Sequence, residues 1–139
     1  MSSRTKSRKM ALDAIFAADM RKQNPIELLD ITAATQEDRQ NQAEIVGYAR
    51  EIVEGITTSH ADIDDRIASF SHKWSIERMP AVDRAILRVA VWEILFNDEV
   101  PDPVAIAEAV DLAKEYSTEE SGFFVNGLLA AISGTKTAK

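Results

Sequence analysis

The 139-residue chain carries a formal net charge of −7, with 45% hydrophobic and 28% charged residues, proportions that suit one globular domain and exclude a disordered or fibrous chain. It has no cysteine, which removes disulfide frameworks, thiolate metal sites and cysteine nucleophiles, and agrees with a reducing, cytoplasmic compartment. Asp13 and Asp19 interrupt the segment after the basic start, and Arg88 and Glu93 interrupt the most apolar run, so neither a signal peptide nor the roughly 20-residue apolar span of a bilayer is expected.

Arg4, Lys6, Arg8 and Lys9 open the chain with no acid among them, so the cationic charge is a local patch on an acidic body. Ala11, Leu12, Ile15 and Phe16 follow at the three- and four-residue intervals of one helical face, with Arg4 and Arg8 upstream on the same stripe. Such a helix is expected to dock by its later turns and leave its beginning at the surface. Asn24-Pro25 ends it, with a short helical turn over 26–30, and the polar stretch 31–42 reads as a connection.

Ile45, Val46, Ala49, Ile52, Val53 and Ile56 predict an amphipathic helix that Gly55 and Thr57-Thr58 help to finish. Ser59 is a candidate cap for the next helix, whose first turns hold Asp62, Asp64 and Asp65. After Phe70 a turn with a brief helix is expected, and Pro80 suits the start of the following helix. From Val82 to Phe96 apolar residues cover almost the whole circumference, which predicts a central helix. Asp102-Pro103 reads as a cap and first turn, and Ser117 with Glu120 as a capping box for a last helix bearing Phe123, Phe124, Val125, Leu128, Leu129 and Ile132. The final GTKTAK is expected to fray. No strand alternation or internal repeat is present, so the fold class is all-α.

Signatures of catalysis are missing: there is no glycine-rich phosphate loop, paired-histidine zinc motif or nucleophile elbow. His60 and His72 read as surface residues without triad partners. The Asp62 cluster fails as a calcium loop, because the required glycine and glutamate positions hold Ile67 and Lys73. The basic opening remains: four cations on two helical turns can contact several phosphates, with Ser3, Thr5 and Ser7 as hydrogen-bonding companions. A solvated basic tail is the competing reading. The exposed member of the pair Phe123 and Phe124 is a candidate stacking surface for an unpaired base.

The stretch Val82 to Ile132 resembles the carboxyl-terminal half of the NusB family through Arg84, Leu87, Arg88 and Glu93, Val100-Pro101, the VAI of 104–106, the EAV and LAK of 108–114, and the FVNG of 124–127. The basic opening followed by ALDAIF at 11–16 resembles the family's first helix, HADIDDRI with Trp74 fits the middle, and residues 24–42 match least. Ala107 stands where the family's AINEA has asparagine, and Thr5, Ser7 and two lysines stand in a helix often richer in arginine.

The resemblance implies a single all-helical domain over residues 1–139 of about seven helices, in two packed three-helix-bundle halves near 4–70 and 76–134, with 135–139 frayed. It implies a non-enzymatic transcription antitermination factor, without cofactor or metal, that binds the boxA element of nascent ribosomal RNA together with the ribosomal protein NusE within the RNA polymerase antitermination complex. Arg4, Lys6, Arg8 and Lys9 would contact RNA, with Glu120 and Phe124 near its path, and Phe16 and Asp83 would face NusE. Monomer and homodimer both stay open. The alternatives are a helical protein-interaction module that never touches RNA, and the NusB-like domain that precedes the catalytic part of some ribosomal RNA methyltransferases, against which chain length argues.

Overall fold

The central helix, α5 (Ala81–Phe96), organises the molecule. Ala85, Ile86, Leu87, Val89, Ala90, Val91, Trp92 and Ile94 are all buried, as expected of a helix apolar on every side. The computed structural model describes residues 2–35 and 41–137. Around α5 lie α1 (Ser3–Arg21), α2 (Pro25–Thr35), α3 (Gln42–Thr58), α4 (His60–Phe70), α6 (Asp102–Tyr116) and α7 (Glu119–Thr137). No strand occurs among the described residues.

Helices α1, α2 and α3 pack on one another, and α6 and α7 pair with each other and with α5. These two groups of three meet where α1 and α3 lie against α5, while α4 packs on α5 and α7 as well as on α3. The crossing of α3 and α5 is close: a Cβ added to Gly55 would lie 1.9 Å from the indole nitrogen of Trp92. Gly55 is therefore needed for this approach and not, as its sequence position suggests, to end the helix.

Several local expectations are corrected. Helix α2 runs to Thr35, with Asn24 Oδ1 accepting from the Ile26 N–H at 2.8 Å; residues 36–40 of the expected connection lie outside the described residues. The segment 71–80 forms turns without a helix. Ser59 makes no side-chain cap, and Pro101, not Asp102, occupies the cap position of α6. Asp102 instead accepts from Lys136 Nζ at 2.9 Å, which also donates to the Ile94 carbonyl. Those bonds hold α7 helical through Thr137, so the expected fraying from residue 135 is not seen, and residues 138–139 lie outside the described residues. The cap of α7 is displaced by one residue from Ser117: Thr118 Oγ1 accepts from the Ser121 N–H at 3.0 Å.

Candidate nucleic-acid interface

Ser2 starts α1 by accepting the Thr5 N–H at 3.1 Å, so the basic segment is helical from its third residue and its cations are distributed around the axis. Lys6 faces solvent and has no ion-pair partner among the described residues. Arg4 extends its guanidinium over the Tyr48 ring, 3.9 Å from the centroid, and lies 3.4 Å from Glu99. Lys9 pairs with Glu115 at 3.0 Å.

Arg8 corrects the sequence reading. Its side chain is 4% exposed, with Nε donating to both oxygens of Glu93 at 2.8 and 3.0 Å and Nη1 donating to Glu108 at 2.8 Å. The Tyr48 hydroxyl donates to Glu93, and Asn97 Nδ2 donates to that hydroxyl at 3.0 Å. Burial alone would lower the arginine's pKa, but the hydrogen bond and charge of Glu93, then the charge of Glu108, outweigh it and hold the group protonated more firmly than usual. For Tyr48, burial first and Glu93 second push the phenol up. The early turns of α1 therefore dock as well: Ser7 is buried too, donating to the Ile45 carbonyl at 2.8 Å. An internal Arg8 cannot meet a phosphate unless this network opens.

Glu120 lies exposed in the first turn of α7, bonded by Lys73. Phe124 is half-buried, edge-on to Trp74 at 5.0 Å, and Phe123 is the exposed member of the pair. Phe16 lines an open groove of about 430 Å³ with Leu12, Asp13, Ala81, Val82 and Tyr116. Asp83 does not join it: the side chain is fully buried and neither carboxylate oxygen has a hydrogen-bond partner among the described residues. Its expected place on a partner-facing surface is corrected accordingly, since Val82, one residue earlier, takes the groove.

Tyr48, Glu93, Glu99, Glu108 and Glu115, which set the state of the basic helix, were not read from the sequence as part of the site. One signal was present: Glu93 is an acid set deep in the apolar run of α5, and burying a charge is costly unless it is paired. No cluster of three or more metal-ligating side chains occurs, and no helix is long and apolar enough to cross a membrane, among the described residues.

A family model described as the NusB family matches residues 5–134. The transcription antitermination protein NusB of Leifsonia xyli subsp. xyli is 49% identical over 136 residues, covering 98% of this chain and 94% of its own. Among solved structures, NusB of T. maritima superposes with a TM-score of 0.86 at 34% identity, covering 96% of this chain and 92% of that one. A chain from a crystal structure of the antitermination factors NusB and NusE in complex with dsRNA superposes at 0.84 with 29% identity, covering 97% and 98%.

Proposed function

The chain belongs to the NusB family, and on that premise we propose that it is a transcription antitermination factor, which binds boxA RNA of nascent ribosomal transcripts together with NusE. The observation that carries this reading is the near full-length likeness to an antitermination protein, on the fold that a NusB chain adopts beside NusE and dsRNA. The protein acts as a cytoplasmic adaptor and not as an enzyme. It supports processive transcription by RNA polymerase through contacts alone.

In this reading Lys6, with Arg4 and Lys9 beside it, supplies the phosphate attraction, and Arg8 holds the helix that presents them. Glu120 and Phe124 border the RNA path. The groove at Phe16 takes an apolar part of NusE, while Asp83 lies buried behind that surface. A net charge of −7 complements a basic ribosomal protein and favours encounter with it.

Gel-shift titrations with a boxA oligonucleotide and a scrambled one, each with and without NusE, test the proposal. Binding to boxA that strengthens with NusE and exceeds binding to the scrambled RNA is expected. Capture of NusE with no RNA preference would overturn it in favour of a purely protein-binding module.

A further inference from the structure

Three surface cations are held alike, each between an aromatic ring and a glutamate. Arg4 lies over Tyr48 and against Glu99. Lys9 lies 5.8 Å from the Tyr116 ring centroid and on Glu115. Lys73, from the segment between α4 and α5, lies 4.6 Å from the Trp74 ring centroid and on Glu120. Lys73 is remote in sequence from the basic opening, so chain proximity does not explain the shared arrangement. Glu115 in the last turn of α6 and Glu120 in the first turn of α7 flank one turn, which Lys9 and Lys73 both engage.

All three cations remain partly open to solvent, at 42, 21 and 44% exposure. Exposed pairs of this kind contribute little stability, so the glutamates are easily exchanged for another anion. The ring meanwhile keeps each cation near its place, which lowers the ordering cost of binding. Hydrogen bonds from Lys9 and Lys73 hold the Glu115 and Glu120 carboxyls below their ordinary pKa, so both remain ionised.

We propose that Glu99, Glu115 and Glu120 occupy positions that RNA phosphates take, that Lys73 joins Arg4 and Lys9 as a phosphate-binding cation, and that the glutamates suppress sequence-independent binding. This rests on the RNA-binding reading above and assigns its specificity. Any polyanion must displace the carboxylates, and only an RNA that adds base contacts recovers the loss. Glu120 thereby acts near the RNA as a competitor and not as a ligand.

The test is fluorescence anisotropy of the full chain with boxA and scrambled oligonucleotides of equal length. Glu99→Gln, Glu115→Gln and Glu120→Gln combined should tighten binding to both by roughly threefold to thirtyfold, from three released surface pairs, with the scrambled RNA gaining at least as much. Glu27→Gln with Glu51→Gln, on exposed positions of α2 and α3, should shift affinity less than about twofold, which separates local competition from general charge. Lys73→Gln should weaken both complexes by about twofold to fivefold, the loss of one phosphate contact. Unchanged or weaker binding by the triple variant overturns the proposal, as does wild-type affinity in Lys73→Gln. Wild-type protein that binds neither RNA overturns the underlying function as well, a result distinct from these.

Discussion

A guanidinium drawn inside a protein must bring its countercharge with it, and this requirement explains why Arg8 was legible as a cation but not as an internal one. Its partner Glu93 lies 85 residues away, beyond any local pattern, and the two meet only because α1 lies against α5. Removing one member of such a pair leaves an uncompensated buried charge. Glu93→Gln or Arg8→Gln should therefore cost about 3–5 kcal/mol of stability by urea denaturation. An apolar double variant, Arg8→Met with Glu93→Met, should recover much of the loss, although Tyr48 and Glu108 keep unpaired groups. A surface-like cost below about 1 kcal/mol for Arg8→Gln would contradict the burial. Asp83 poses the converse case, a buried carboxylate with no hydrogen-bond partner among the described residues. Asp83→Asn should leave stability by urea denaturation equal or higher, because an unpaired buried charge is a burden. A large loss of stability would show that the carboxylate is needed to hold the fold.

At the level of helices the sequence was most readable where burial is one-sided or complete. The periodicity of α3 and the all-round apolar character of α5 identify both, because those patterns are the burial itself. Helix α2 was read only in part, since its weak period 25–35 is held by packing between α1 and α3 and not by its own composition. The end of α7 escaped for a related reason: the bonds of Lys136 to Asp102 and Ile94 are tertiary. Glycines show the same limit, because spacing does not reveal which of them another helix approaches. Gly47 and Gly55 sit in one helix, yet a Cβ at Gly47 meets nothing within 4 Å while one at Gly55 collides with Trp92. Gly47→Ala should raise stability by about 0.5–1 kcal/mol through backbone entropy. Gly55→Ala should lower it by about 1–3 kcal/mol through overpacking, with partial rescue by Trp92→Leu. Equal effects of the two alanines on the thermal midpoint would remove the close crossing from the account.

Over the whole molecule, an acidic body presents a small cationic edge, and the number of cations free to engage a phosphate is smaller than the sequence count. On that edge Arg8 is committed to Glu93 and Glu108, Lys6 has no ion-pair partner among the described residues, and Arg4, Lys9 and Lys73 are releasable from exposed pairs. Counterion release from single-stranded nucleic acid contributes about 0.7 to the slope of log affinity against log salt for each phosphate neutralised. The four cations of this edge therefore contribute about −2 to −3 to that slope. Arg4→Gln with Lys6→Gln should weaken binding to boxA and scrambled RNA alike and flatten the slope by about 1 to 1.5, while helicity by circular dichroism stays unchanged. Arg8→Gln should act differently, through loss of folded protein: any fraction that remains folded should keep the wild-type slope. If Arg8→Gln instead flattens the slope as strongly as Arg4→Gln without a change in stability, then the internal network opens on RNA binding and Arg8 reaches a phosphate after all.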